Sequence, residues 1–205
     1  MRYSCDMTDN QTIERLSRRH VERLCDVLTS LPFQDLSTAA GMLIDAAHHR
    51  TTVFVAGNGG SASTASHMAC DLAKSAQYGG GQGLRIVSLA DNAALMTALG
   101  NDESFDEIFS RQLGMLGSEG DLLILISGSG RSPNCILAAE RARTMGMKTI
   151  ALLGMGGGPV AKLADVSIVV GSDDYGIIED AHLAVNHIIT ECLRFASTGP
   201  ASDGV

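Results

Sequence analysis

Hydrophobic residues recur at helical spacing through the first fifty positions of the chain. In residues 12–31 they form one broad stripe made up of Ile13, Leu16, Val21, Leu24, Val27, Leu28 and Leu31. Pro32 ends this helix, and a second helix is predicted over about residues 36–49. Both precede the first strand and cannot belong to a β-α-β unit. We therefore expect residues 1–50 to form an N-terminal helical arm that covers the sheet or a partner subunit.

From residue 51 onward, short apolar runs alternate with helical patterns. Strands are predicted at Thr52–Ala56, Arg85–Leu89, Leu122–Ile126, Thr149–Leu153 and Val166–Val170. Helices are predicted over 62–76, about 104–117, 134–145, 159–164 and about 177–195. Several strands are apolar on both faces, as buried parallel strands require. Residues 51–195 are thus predicted to form an α/β domain, a doubly wound, mainly parallel five-stranded sheet flanked by helices. Residues 78–83 are predicted to be an exposed loop and 196–205 a flexible tail.

Charge and composition argue against several classes of protein. The 205 residues carry a net charge of −8, which argues against a broad nucleic-acid or membrane surface. No apolar stretch approaches the roughly 20 residues that span a bilayer, and the N-terminus has no signal-peptide core. The five cysteines are odd in number and far apart, which favours free thiols. We expect a cytoplasmic protein.

The first of two loops that follow strands is GNGGSAS, residues 57–63. Glycine allows the backbone to approach a ligand, and the next helix presents unpaired N–H groups to an anion. The spacing of Gly57, Gly59 and Ala62 also fits a dinucleotide fingerprint. The acidic residue of that fingerprint should follow about 20 positions on, whereas Asp91 comes 34 residues after Gly57. A small-ligand loop is favoured, with a dinucleotide site or a plain glycine turn as alternatives.

The second loop is SGSGRSPN, residues 127–134. Ser132 suits the N-cap of a helix that begins at Pro133. One serine is enough for a cap, so Ser127 and Ser129 need another explanation. Serine hydroxyls beside free helix N–H groups predict a phosphate site. No P-loop lysine follows, so nucleotide hydrolysis gains no support.

Two helices carry side chains that suit a metal ion or proton transfer. His67 and Asp71 are four residues apart and share a helix face, a spacing that fits either a first-row metal or a structural pair. On the last helix, Glu179 and His187 diverge by roughly 80°, close enough to converge on one site. His182 lies elsewhere on that helix, and its favoured role is packing or support of neighbouring site residues.

The segments GNGGSASTASH, ISGSGRSPN and IEDAHLAVNH together resemble the sugar isomerase (SIS) domain family, and more narrowly its phosphoheptose isomerases. The resemblance covers about residues 10–195. It implies an aldose–ketose isomerase that converts sedoheptulose 7-phosphate to D-glycero-D-manno-heptose 7-phosphate for activated heptoses of surface polysaccharides. It also implies a homotetramer with active sites at subunit interfaces, which gives the N-terminal helices a use.

Roles for individual residues follow from the resemblance. Ser127, Ser129 and Ser132 would hold the phosphate, with Gly128 as a backbone contact. Contacts to the sugar are implied for Asn58, Gly59, Ser61, Asp91, Asn92 and Glu179. The resemblance implies a Zn²⁺ site formed by His67, Asp71, Glu179 and His187. Asp71 is the hypothesised base and His187 the acid, with Glu179 as the rival base if Asp71 binds metal tightly.

Two of these positions depart from the usual family pattern, which has glutamate where Asp71 stands and glutamine where Glu179 stands. The shorter Asp71 must reach further, and Glu179 adds a negative charge beside the expected cation. Two imidazoles and two oxygen donors still suit Zn²⁺. The alternatives are an isomerase of a related ketose phosphate, or a non-catalytic SIS protein that binds sugar phosphate or a regulatory partner, of the type that associates with a replication initiator. A dinucleotide-dependent enzyme is the third.

Overall fold

The computed structural model describes residues 9–75 and 83–198, which form one α/β domain. The helices are α1 (Asn10–Thr29), α2 (Phe33–His49), α3 (Gly60–Ser75), α4 (Ala93–Asp102), α5 (Ile108–Leu116), α6 (Pro133–Thr144) and α7 (Tyr175–Thr198). The strands are β1 (Thr52–Gly57), β2 (Arg85–Ser88), β3 (Leu122–Ser127), β4 (Lys148–Leu153) and β5 (Val166–Val169). Short 3₁₀ turns occupy Phe105–Glu107 and Val160–Lys162.

The five strands form one sheet in the order β2-β1-β3-β4-β5, and every neighbouring pair is parallel. The chain moves from β1 outward to β2, then crosses to β3 on the other side of β1. In an open parallel sheet this reversal leaves a crevice beyond the carboxyl ends of the two central strands. The predicted doubly wound fold is confirmed, and its crevice lies between β1 and β3.

Helices cover both faces of the sheet, so successive strand side chains enter different cores. In β1, Val53 and Val55 pack with α1, α2, α3 and α7, whereas Phe54 and Ala56 pack with α4, α5 and α6. All four side chains are at most 1% exposed. The two-sided apolar character seen in the sequence is therefore the mark of a sheet buried between two helical layers.

Most predicted elements are present, with shifts at their ends. The helix predicted over 104–117 is split into a 3₁₀ turn and α5, and the segment predicted over 159–164 is only a 3₁₀ turn. Helix α4 was not predicted, because within it Leu99 alone is buried and its apolar residues form no distinct stripe. The final helix extends through Thr198, into the predicted tail. The predicted loop at 78–83 lies almost wholly outside the described residues.

The N-terminal arm is held on the start of α7 by two polar contacts. Arg23 bonds Asp174 at 2.9 Å, and His20 Nε2 lies 3.0 Å from Asp180 Oδ2. The Arg23 guanidinium holds the pKa of the Asp174 carboxyl below its usual range. No helix in the part of the chain that the structure describes is both long and apolar enough to cross a membrane.

His182 on α7 is a fully buried imidazole. The side chain is 0% exposed, and neither ring nitrogen has a hydrogen-bond partner of standard geometry among the described residues. Burial disfavours the charged form and lowers the pKa of His182 to about 4, from an ordinary value of 6.5. The packing role predicted for this histidine is consistent with its position, since it remains neutral at pH 7.

We expect the free energy of unfolding to fall as the pH drops from about 6.5 to about 4, because in that range the unfolded chain protonates His182 and the folded chain does not. The contribution is on the order of 3 kcal/mol. The His182→Met variant should lose this part of the pH dependence in urea unfolding at a series of pH values. His48→Gln, at the exposed end of α2, is the control. Equal slopes in wild type and His182→Met would contradict a neutral buried imidazole.

Candidate active site

Two loops meet at the carboxyl edge of the central strands. The glycine loop, residues 57–60, follows β1, and the serine loop, residues 127–132, follows β3. Two side-chain amides join them: Asn58 Nδ2 donates to Asn134 Oδ1 and Asn134 Nδ2 donates to Asn58 Oδ1, each at 2.9 Å. This reciprocal pair fixes the separation of the loops. Asn134, 1% exposed, was not recognised as a site residue, although its position one residue into a helix beside the serine loop was a usable signal.

The glycine loop is tightly packed against the first turn of α3. A Cβ atom on Gly57 would lie 2.8 Å from the backbone and side chain of Ser61. Ser61 is buried at 6% exposure, whereas Gly59 is exposed and has a left-handed φ of 56°. The turn thus brings the backbone at Gly59 to the surface and keeps the Ser61 side chain largely inside.

The serine loop presents its polar atoms around one turn. Ser127 Oγ accepts from the Gly130 N–H at 3.1 Å, and Ser129 Oγ accepts from the Arg131 N–H at 3.3 Å. Ser132 is the N-cap residue before Pro133, as predicted, but its hydroxyl makes no capping hydrogen bond. The Ser132 hydroxyl therefore keeps its hydrogen-bonding capacity at the N-terminus of α6, a position that suits an anion.

A third segment, the backing loop of residues 154–158, supports the serine loop from behind. The Gly154 N–H donates to the Gly128 carbonyl at 3.0 Å. Gly130 has a φ of 60°, and a Cβ atom there would lie 2.0 Å from the Gly157 carbonyl oxygen. The two loops pack backbone against backbone, at a distance that only glycine permits.

The histidine–aspartate group, defined as His67, Asp71 and His187, lies between α3 and α7. Asp71 Oδ2 is 3.0 Å from His67 Nε2 and 3.6 Å from His187 Nε2, and the two imidazole nitrogens are 3.4 Å apart. Each residue offers one potential ligand atom, and these three atoms lie within 4.8 Å of one another. Two nitrogens and a carboxylate oxygen at this spacing fit a first-row metal such as Zn²⁺, with further positions left for solvent or substrate.

A buried amide also contacts Asp71. Asn186, 0% exposed, donates from Nδ2 to Asp71 Oδ2 at 2.9 Å. Asn186 is not among the predicted site residues. Its place beside His187 in the motif IEDAHLAVNH was the only signal, and a polar residue at that position does not by itself reveal burial.

The structure separates Glu179 from the histidine–aspartate group. Its carboxylate lies against Gly60, where a Cβ atom would come 2.3 Å from Glu179 Oε2. Eight residues of α7 separate Glu179 from His187, about 12 Å along a helix axis. Within one chain, three of the four residues predicted to bind the metal come together, and Glu179 lies at the glycine loop. The inclusion of Glu179 in the metal set stays a prediction.

The two polar residues after β2 make contacts within the protein. Asp91 accepts a hydrogen bond from the Ser66 hydroxyl on α3. Asn92 is the N-cap of α4, and its Oδ1 accepts from the Leu95 N–H at 3.0 Å. Asn92 thus has a capping role that the sequence pattern did not predict, and its contact with a ligand stays a prediction. Both side chains remain exposed at the edge of the site.

Comparison with known proteins identifies a family. The family model described as SIS domain matches residues 18–154. A phosphoheptose isomerase of Helicobacter pylori is 37% identical over 175 residues, which cover 85% of this chain and 90% of the relative. One from Citrifermentans bemidjiense is 36% identical over 173 residues, which cover 83% of this chain and 90% of the relative.

Solved structures agree with the sequence relatives. The phosphoheptose isomerase of Neisseria gonorrhoeae superposes with a TM-score of 0.80 at 31% identity, covering 88% of this chain and 97% of the other. That of Francisella tularensis gives a TM-score of 0.83 at 29% identity, covering 92% of this chain and 99% of the other.

The contact between the serine loop and the backing loop can be tested with a matched pair of glycine variants. Gly130→Ala and Gly156→Ala both place a side chain at positive φ, a strain of about 1 kcal/mol. Only at Gly130 does the new Cβ meet backbone, because at Gly156 nothing lies within 4 Å. We expect Gly130→Ala to unfold several degrees below Gly156→Ala in calorimetry. Equal melting temperatures would contradict the close packing of the loops.

Proposed function

The chain belongs to the SIS domain family and, within it, to the phosphoheptose isomerases, and on that premise we propose that its histidine–aspartate group isomerises sedoheptulose 7-phosphate to D-glycero-D-manno-heptose 7-phosphate. The observation that carries this proposal is the convergence of His67, Asp71 and His187 from two helices. A general base, a general acid and a site for a polarising cation are what an aldose–ketose isomerisation requires.

The layout of the site supports a substrate that carries its phosphate far from its carbonyl. The serine loop lies at the sheet edge beside the glycine loop. We propose that the serine loop contacts the phosphate and that the glycine loop contacts the sugar. His67 is seven residues from Gly60, roughly 10 Å along α3. In a ketoheptose 7-phosphate the phosphate and the reacting C1–C2 unit are at opposite ends of a seven-carbon chain. The separation of loop and histidines suits that chemistry.

The proposed reaction moves two protons and needs no external oxidant. Asp71 removes a proton from C1 of the ketose, and the electron pair forms the C1–C2 double bond of an enediolate while the C2 oxygen takes up negative charge. His187 supplies a proton to that oxygen. Return of the proton from Asp71 to C2, while the deprotonated His187 takes up the O1 proton, gives the aldose and restores both side chains. His67 orients the Asp71 carboxylate through their 3.0 Å contact.

We propose that His67, Asp71 and His187 would hold Zn²⁺, a set that fits because two imidazole nitrogens and a carboxylate oxygen lie within bonding reach of one point. When bound, Zn²⁺ supplies electrophilic polarisation of the carbonyl and stabilises the developing negative charge. If Asp71 is engaged by the cation, Glu179 is the rival base, because its carboxylate lies outside the group and against the sugar-contacting loop.

The proposed setting is the cytoplasm, where the product would be a precursor of activated heptoses for surface polysaccharides. The four cysteines within the described ranges, Cys25, Cys70, Cys135 and Cys192, are free thiols, as a reducing compartment requires. Burial raises the pKa of the Cys135 thiol to about 12, so that thiol stays protonated and inert. A non-catalytic sugar-phosphate-binding role is the alternative. The retention of His67 and His187 argues against it, and the departures from the family pattern at Asp71 and Glu179 keep it an alternative.

The test is turnover of sedoheptulose 7-phosphate, with the aldoheptose product followed by NMR in the presence of Zn²⁺ or of a chelator. We expect product with Zn²⁺ and loss of product with the chelator. Asp71→Asn should lower kcat at least about a hundredfold, because it removes the base while keeping the shape of the side chain. Glu179→Gln, the matched change at the rival carboxylate, should cost much less.

The reverse order of effects would make Glu179 the base and leave Asp71 as a metal ligand. Wild type that binds the ketose phosphate and forms no aldose under either condition would contradict the isomerase proposal and favour a binding role.

Ser129→Ala should raise KM with little change in kcat, because the phosphate is remote from the reacting carbons.

We also propose that the exposed apolar stripe of α1 is the contact between subunits in a homo-oligomer, with a tetramer expected. Ile13, Leu16 and Val21 lie on one helix face and are 51%, 54% and 58% exposed. Within this helix Val27 alone is buried, although its pattern is strongly amphipathic. An apolar stripe of this kind with charged residues opposite it is typical of a helix that packs against another chain.

Leu16→Glu should shift the purified protein to smaller species in sedimentation velocity, because it places a charge in the apolar stripe. Arg15→Glu, an exposed position on the opposite face of α1, is the matched control and should leave the oligomer intact. An unchanged sedimentation coefficient for Leu16→Glu would exclude this face as the subunit contact.

A further inference from the structure

We infer that Asn186 is a positioning residue for the reaction, which acts by fixing the carboxylate of Asp71. The inference rests on the proposed function, since it assigns a role relative to the proposed base. Asn186 itself is fully buried in the packing between α3 and α7. It acts on the reacting groups only through Asp71.

The geometry puts three nitrogens around one carboxylate oxygen. Asn186 Nδ2 donates to Asp71 Oδ2 at 2.9 Å, while His67 Nε2 and His187 Nε2 lie 3.0 and 3.6 Å from the same atom. The imidazoles approach from the exposed side, and the amide approaches from the core. The amide contact therefore does not depend on whether the histidines bind a cation or exchange a proton.

The burial of Asn186 indicates that the contact has a purpose beyond packing. Its Oδ1 has no hydrogen-bond partner in the described part of the chain, so the side chain carries a desolvation cost that an apolar residue would avoid. The orientation of the amide is determined by its neighbour, because a carboxylate oxygen accepts and the Nδ2 group must donate to it. The bond to Asp71 is what offsets the cost.

An amide is suited to this position because it does not ionise. His187, the next residue on α7, offers a group that can lose or gain a proton and can bind a metal. Asn186 offers two N–H donors that remain in place at every stage of the proton transfer. One turn of α7 thus supplies both a reacting side chain and the group that holds its acidic partner.

The experiment compares Asn186→Leu and Asn186→Ala with wild type, using Thr190→Val as the matched control. Thr190 lies one turn further along the same face of α7, and its buried hydroxyl has no partner among the described residues. Both Asn186 variants should lower kcat about ten- to a hundredfold, the usual cost of removing a residue that orients a ligating or reacting group. KM should change little, because the phosphate contacts are untouched. Thr190→Val should leave kcat and KM as in wild type.

A double-mutant cycle distinguishes positioning from general damage to the core. The cycle measures kcat and also the Co²⁺ affinity, which is followed by visible absorption without substrate. If Asn186 acts through Asp71, adding Asn186→Leu to the Asp71→Ala variant should change neither quantity further. Additive losses in the cycle would overturn the inference. So would a kcat and a Co²⁺ affinity of Asn186→Ala within about twofold of wild type, a change far smaller than orienting residues cause.

Failure of the proposed function gives a different result. If wild type does not isomerise sedoheptulose 7-phosphate but binds Co²⁺, the proposed substrate is wrong. The Co²⁺ affinities of the variants then decide the role of Asn186. If wild type turns over the substrate without binding Co²⁺, the kcat values of the variants decide the role of Asn186. A wild type with neither property would overturn both the proposed function and the inference.

Discussion

The parallel packing of α3 against α7 is the contact on which the site depends. Both helices begin at the carboxyl edge of the sheet, α3 after β1 and α7 after β5, so they run in the same direction across one face. Their apolar faces share a core cluster that contains Met68 and Leu72 of α3 and Val185 and Ile189 of α7. Because these side chains are at most 1% exposed, the helices have a fixed register.

That register explains why the site has two parts, one at the loops and one at the histidine–aspartate group. The first turns of the helices meet where Glu179 lies over Gly60, next to the loops. Two turns further along, the same register places His67 and Asp71 opposite Asn186 and His187, more than a hundred positions away in sequence. A shift of either helix by one residue would rotate its polar group by 100° and separate the two histidines. The loops gain a comparable constraint from backbone contact, since the serine loop rests directly on the backing loop.

The sequence predicted the sheet well because a buried parallel strand has a distinct pattern. All five strands lie within two residues of their predicted ends, and the two loops occur at the edge where parallel topology requires them. Helix α4 escaped prediction because it is only weakly amphipathic, and Asn92 before it was not predicted to be a cap. The spacing of His67 and Asp71 placed them on one face, but spacing on separate helices cannot give their mutual register. For the same reason the position of Glu179 could not be foreseen.

The buried polar face of α7 shows why a site of this kind cannot be built from packing alone. His182, Asn186 and Thr190 recur every four residues and are at most 6% exposed, and each has at least one polar atom without a partner in the described chain. Such groups lower stability relative to apolar residues of the same shape. Only Asn186 has a contact that reaches a proposed reacting group, so only there does the proposed function account for the cost. For His182 the neutral form at physiological pH keeps the cost tolerable, since burying the charged imidazole would be far more unfavourable. The core between α3 and α7 is therefore less stable than it could be at the one place where it must hold a carboxylate in position.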